Sequence, residues 1–198
     1  MRIAQSPLAR ARQGVIAGLI LGFSLVMPAR GASITVNAPD AYGRIFVDVV
    51  GEIVAGDEKA FEQRVAILRT HNDKVIVSLS GPGGVALPAI RIGELVHEYG
   101  WATHVSSGNP CTSSCSIIWL AGTPRTIDGA PAVIIGFHAI YNKDTERESG
   151  AANAVLGHYL TLWGLNEMGV ACVTISPPKE MGWLTGPAGK ECASPGKC

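Results

Sequence analysis

The chain has 198 residues, 47% of them hydrophobic and 16% charged, which is enough for one domain with a sizeable core and argues against overall disorder. Formal net charge is zero, but residues 1–31 hold Arg2, Arg10, Arg12 and Arg30 and no acid, which leaves 12 basic against 16 acidic residues in the rest. A mildly acidic body has no electrostatic footprint for nucleic acid, so no such partner is expected.

The first 31 residues read as a targeting segment. Arg2, Arg10 and Arg12 precede an apolar stretch from Gly14 to Met27, of the length of a signal-peptide core and short for a spanning helix. Ala29 and Gly31 are the small pair before a cut near Ser33. Residues 1–31 are therefore a signal peptide or an N-terminal membrane anchor through residues 14–29. Either implies export, to the periplasm or to the outer face of an inner membrane.

Ser33 to Tyr42 is a polar lead-in. Arg44 to Ile53 is a β-rich run. Asp57 is placed to cap a helix whose Phe61, Val65 and Leu68 share one face. Lys74 to Ser80 reads as a strand buried on both faces of a parallel sheet, broken sharply by Gly81-Pro82-Gly83-Gly84. Leu87 to Tyr99 is a helix with Ala89, Ile92 and Val96 inward and Gly100 as its stop. Trp101 to Ser106 is a strand, and Asn109 to Ala121 reads as a loop and then a buried helix. Arg125 to Asp128 and Ala132 to Ala139 are further strands. Asn142 to Gly150 is a charged loop, Ala151 to Met168 a helix apolar nearly all round, and Ser176 to Thr185 a short helix or turn. Alternating strands and helices predict an α/β domain with right-handed crossovers over residues 32–187, followed by a Cys-containing tail at 188–198.

All five cysteines lie in the second half: Cys111, Cys115, Cys172, Cys192 and Cys198. An oxidising compartment would allow two disulfides. Cys192 and Cys198 are one candidate pair. Cys111 and Cys115 are another, although four-residue spacing within a helix strains the geometry. No paired C-x-x-C or histidine at ligand spacing supports zinc, and no P-loop, H-E-x-x-H or G-x-G-x-x-G is present, so no cofactor is expected. His97-Glu98 lacks a second histidine and reads as helix surface.

Three short pieces carry the chemistry. Gly83-Gly84 is ordinarily a tight turn; with backbone N–H groups exposed it can also cradle an oxyanion. Ser113 is ordinarily a helix cap. At a helix N-terminus it is also a candidate nucleophile, with Ser114 and Ser116 competing. His138 ends an apolar strand, where a histidine is usually structural; within reach of a serine it would be a base.

The segment from Phe46 to Tyr141 resembles the proteolytic subunit of the Clp protease, ClpP, a serine peptidase of the ClpP/crotonase fold. The matching residues are Gly51-Glu52-Ile53, Gly81-Pro82-Gly83-Gly84, Ser113-Ser114-Cys115 through Ala121-Gly122, Arg125, and Gly136-Phe137-His138. The intervals agree too: 29 residues from Gly84 to Ser113 and 25 from Ser113 to His138. Cys111-Thr112-Ser113-Ser114-Cys115 is similar to the C-x-S-A-C of exported bacterial ClpP-like proteins. The resemblance implies Ser113 as nucleophile, His138 as general base, and the N–H groups of Gly84 and Ser114 as the oxyanion hole. Aligning Trp183-Leu184-Thr185-Gly186-Pro187 with the family's L-S-x-P segment puts Met181 where the family has its aspartate, and the nearest acid, Glu180, is the candidate third catalytic residue.

The expectation is thus an exported serine peptidase acting on short or unfolded peptides, self-associating, and without an ATPase partner, since no ATP is supplied outside the cytoplasm. Three alternatives stay open. A crotonase-like acyl-thioester enzyme would use only the two N–H donors. Signal-peptide-peptidase-like relatives use a Ser–Lys pair, and Lys143 lies just past His138, although no spacing favours it. A catalytically degenerate scaffold is favoured by the missing aspartate.

Overall fold

A computed structural model describes residues 31–71, 74–128, 135–185 and 191–193. The expected leader lies almost wholly outside these residues, as does most of the tail, including Cys198. The chain runs β1 (Ser33–Val36), β2 (Ile45–Ile53), α1 (Asp57–Val65), β3 (Val75–Gly84), α2 (Ala86–Glu98), β4 (Ala102–Val105), β5 (Cys111–Thr112), α3 (Ser114–Ala121), β6 (Arg125–Ile127), β7 (Ile135–Phe137), α4 (Gly150–Leu162), α5 (Glu167–Thr174), β8 (Gly182–Thr185) and β9 (Glu191–Ala193). A short 3-10 turn, Ala66–Leu68, follows α1.

β2 and β3 form the central parallel pair, from Ile45↔Val75 to Ile53↔Gly84. β-Branched residues make these strands, and Val47, Val49, Val75, Val77 and Leu79 are buried at alternating positions. The alternation corrects the expectation that β3 is buried on both faces: Ile76, Ser78 and Ser80 are only half-buried. β3 then forks, pairing in parallel with β4 along Ile76–Ser78 and with β5 at Gly81. From β4 the sheet continues to β6, and from β5 to β7, all parallel. β8 and β9 close that edge antiparallel, and β1 pairs antiparallel with β2 at the other. This is the α/β architecture that the alternating pattern predicts.

α3 lies at the centre of the packing. All eight of its residues, Ser114 to Ala121, are buried. Thr103 on β4 donates its hydroxyl to the Trp119 carbonyl at 2.7 Å. Behind α3, the ring of Trp163 leaves space for nothing but a glycine at Gly93 on α2. Trp101, fully buried, meets Phe61 and Tyr99 edge-on or tilted. A fully buried large side chain contributes about 1.5–3 kcal/mol, so this layer supplies much of the stability.

Several local expectations change. The glycine run does not break β3; pairing with Glu52 and Ile53 carries the strand through to Gly84. Asp57 does not cap its own helix. It is buried and accepts the N–H groups of Val54 and Ala32, at 2.8 and 3.0 Å, tying the start of β1 to α1. The long helix expected over 151–168 is two helices. Gly164, at φ +84°, stops the first, and Asn166 caps the second by accepting the Gly169 N–H at 2.8 Å. The polar lead-in contains β1, and Ser176–Thr185 contains β8, because both find partners far along the chain. The charged loop is an ordered turn, closed by a Tyr141↔Glu148 bridge and by Asn142 accepting the N–H groups of Asp144 and Thr145.

Candidate active site

A cavity of about 570 Å³ opens where the end of β3, the β5–α3 turn and the segment after β7 converge. Gly83, Gly84, Ser113, Ser114 and His138 all line it. Ile117, Phe137, Leu156 and Val173 are the buried part of the lining, and Glu52, Tyr141 and Lys143 its exposed part.

Ser113 is the hinge between strand and helix. It has φ +54° and ψ −125°, and is one of two non-glycine residues at positive φ among the described residues. Such a conformation costs on the order of 1–3 kcal/mol and needs its surroundings to enforce it. They do. The Ser113 N–H donates to the Gly136 carbonyl at 2.9 Å, and the Ser113 carbonyl accepts the Ser116 hydroxyl at 2.6 Å and the Ser116 N–H at 3.0 Å. The bend turns the Ser113 side chain out of the helix, with no capping bond, in the manner of a nucleophile elbow. The competing serines are committed elsewhere. Ser114 donates to the Gly84 carbonyl at 2.9 Å, and Ser116 also reaches the Gly136 carbonyl at 2.8 Å.

The glycine run is laid against this elbow by three contacts. Gly81 N–H donates to the Pro110 carbonyl at 2.8 Å, the Thr112 hydroxyl to the Pro82 carbonyl at 3.0 Å, and the Ser114 hydroxyl to Gly84. A Cβ at Gly83 would lie 2.6 Å from the Ser113 Cβ and 2.8 Å from the Ser114 nitrogen. Gly83 and Gly84 have φ +100° and +136°, which only glycine adopts freely. The Ser114 N–H is the first of α3 and has no intrahelical acceptor. The structure thus brings the Gly84 and Ser114 amides onto the cavity beside Ser113.

His138 is half-buried, and its ring lies 5.5 Å from that of Tyr141. Its Nδ1 is 2.8 Å from the Ala139 carbonyl. A carbonyl only accepts, so this bond selects the Nδ1–H tautomer and leaves Nε2 as the basic nitrogen. Ser113 and His138 share the cavity without a direct hydrogen bond; catalytic bonds commonly tighten only around substrate. The β7–β8 ladder pairs Gly136 with Trp183 and Phe137 with Gly182 and ends there, and the Met181 side chain packs over Gly136. Met181 lines the cavity, while Glu180 is exposed and outside the lining. The structure does not bring Glu180 into the site. The Ala139 carbonyl does what the sequence offered no residue for, and no side-chain signal could have pointed to it.

Cys111 and Cys115 are joined by a disulfide. The strain expected of a bridge within one helix does not arise, because Cys111 is on β5 and Cys115 on α3, with Cα atoms 5.2 Å apart. Cys172 is disulfide-bonded as well. The expected Cys192–Cys198 pair rests on side chains outside the described residues. Arg125, part of the family resemblance, donates to the Trp163 carbonyl at 2.8 Å, and burial pushes its pKa down. It joins β6 to the end of α4, away from the cavity. Among the described residues, no three His, Cys, Asp or Glu side chains gather as a metal site, and no helix is long and apolar enough to cross a membrane.

No protein-family profile and no curated protein matches the chain. Among solved structures it is similar to the membrane-bound stomatin-specific protease 1510-N in a serine-to-alanine mutant, at 16% identity and TM-score 0.43 over 63% of this chain and 66% of that one. A lysine-to-alanine mutant of the same protease in complex with a substrate peptide matches at 18% identity and TM-score 0.42, over 59% and 56%. The ClpP protease catalytic domain from Plasmodium falciparum matches at 17% and 0.43, over 60% and 65%. The matched part is under two thirds of each of those chains.

Proposed function

We propose that the chain is an exported, ClpP-like serine peptidase of the ClpP/crotonase fold, hydrolysing peptide bonds through Ser113 and His138. The observation that carries this reading is Ser113, held at φ +54° at the head of α3 on the cavity it shares with His138. Backbone strain at a half-buried serine that lines a cavity with a histidine supports a functional role. In the mechanism, His138 Nε2 takes the Ser113 proton as Oγ attacks the peptide carbonyl. The Gly84 and Ser114 amides hold the oxyanion, each contributing about 3 kcal/mol. The imidazolium then protonates the leaving amine, and water attacks the acyl-enzyme with His138 again as base.

Export is supported by the basic and apolar leader pattern and by disulfide use. Outside the cytoplasm no nucleotide drives an unfoldase, so the substrates are short or unfolded peptides and no ATPase partner takes part. Membrane anchoring through residues 14–29 and self-association belong to the same proposal.

A second reading, a scaffold keeping the fold without catalysis, is favoured by Met181, a thioether rather than an acid, lining the cavity with the histidine. Fluorophosphonate labelling of the purified protein separates the two. The peptidase reading expects one label on Ser113, lost in Ser113→Ala and His138→Ala. A folded wild type that takes no label would leave the scaffold. Degradation of an unstructured peptide without nucleotide tests ATP independence; strict dependence on ATP would sink that part.

A further inference from the structure

Ser113 sits inside a small covalent ring. The Cys111–Cys115 disulfide closes over Thr112, Ser113 and Ser114. These residues are the one whose hydroxyl holds the Pro82 carbonyl, the nucleophile, and the donor of the second oxyanion amide. Both anchors of the ring are fixed from outside. Cys111 is fully buried and stands in register with Gly81 on β3 and Ile135 on β7. Cys115 is 2% exposed within the fully buried α3.

A ring of this size is a poor device for global stability. The entropy that a disulfide removes from the unfolded chain grows with the loop it closes, and this loop is near the minimum. Its effect is local, on the turn that holds Ser113 at positive φ. Without it, neutral hydrogen bonds alone would oppose the return of Ser113 to negative φ.

We propose that the Cys111–Cys115 bond is a positioning device for the nucleophile, so that the site is competent only when the bond is formed. The inference rests on the peptidase reading above. Opening the bond takes two electrons and two protons, delivered by a dithiol that becomes a disulfide and leaves two cysteine thiols. Ser113 then relaxes, its Oγ leaves the line to the oxyanion donors, and the activity is confined to oxidising compartments.

The test compares oxidised wild type with Cys111→Ala/Cys115→Ala by amide hydrogen exchange and by the rate of fluorophosphonate labelling. The expected result is a loss of protection of at least tenfold at Ser113, Ser116 and Ile117, whose N–H groups bond at this turn. The central strands keep their protection, and labelling slows at least tenfold. Where the variant does not fold, the same readouts are taken on wild type treated with a dithiol, scored on molecules in which peptide mapping finds both cysteines reduced. Unchanged exchange at the three amides overturns the proposal, whatever the labelling does. Exchange that rises across the whole sheet also overturns it, since that is a general structural role. If oxidised wild type takes no label but the local exchange changes, the peptidase reading falls and the positioning role stands.

Discussion

Met181 and His138 line the same cavity, each one residue beyond the end of the β7–β8 ladder, so residue 181 brings a thioether and no acid to the site. The Nδ1–H of His138 turns instead to the Ala139 carbonyl, 2.8 Å away. A neutral carbonyl selects the right tautomer but stabilises the imidazolium less than a carboxylate does. Met181→Asp is therefore expected to raise the rate of acyl-enzyme formation at least about tenfold, against losses of roughly 10⁴ when the acid is neutralised in a full triad. Burst kinetics with an activated ester check this; an unchanged rate would mean that residue 181 does not reach the imidazole.

Ser113 is strained where a glycine would not be. Ser113→Gly and Ser113→Ala both abolish labelling, but Ser113→Gly is expected to be the more stable of the two by about 1 kcal/mol. Urea denaturation of the two variants measures the difference. Equal stabilities would show that the positive φ at residue 113 costs nothing.

Gly83 faces the elbow so closely that a methyl group would lie 2.6 Å from the Ser113 Cβ and 2.7 Å from the Thr112 carbonyl oxygen. Gly83→Ala is expected to cost roughly 1–3 kcal/mol of stability and to abolish labelling in the folded fraction. Retained labelling at the wild-type rate would mean that the glycine run is only a turn.

Three single variants sort the proton-transfer groups. His138→Ala is expected to slow peptide hydrolysis by about 10²–10⁴. Glu180→Ala, exposed and outside the cavity, should stay within about twofold by the same measure. Lys143→Ala, at the exposed rim, should change KM more than kcat. A loss of kcat in Lys143→Ala that matches the loss in His138→Ala would favour a Ser–Lys pair.

Val155 and Leu162, seven residues apart on α4, are 46% and 57% exposed. Seven residues are close to two helical turns, so they share one face. Exposed apolar residues so aligned fit an interface between copies. Sedimentation velocity is expected to find an oligomer for the wild type and a monomer for Val155→Asp/Leu162→Asp. A wild type that is monomeric at high concentration removes this surface from consideration.

The order of the elements and the buried α3 were legible in the chain, because hydrophobic period, glycines and helix-start residues are local signals, while the grouping of Gly84, Ser113, Ser114 and His138 came from the spacing shared with ClpP-like sequences. Elements whose pairing partners lie far away were not legible. β1 and β8 look polar or turn-like until β2 and β7 lie beside them. The break at Gly164 and Asn166 was written in two signals, with one residue between them, that the apolar run obscured.

By itself, then, the sequence determined which residue types are available for acyl transfer and at what spacing, since spacing is a property of the chain. Only the tertiary structure decided what each one does. It made Ser113, rather than Ser114 or Ser116, the free hydroxyl by giving the other two carbonyl acceptors. It left Glu180 off the cavity, put Met181 and His138 on it, and gave the histidine's Nδ1 a backbone carbonyl to bond. Those outcomes depend on register and on hydrogen bonds between segments distant in sequence, and a strand shifted by one residue would have reversed which side chain faces the site.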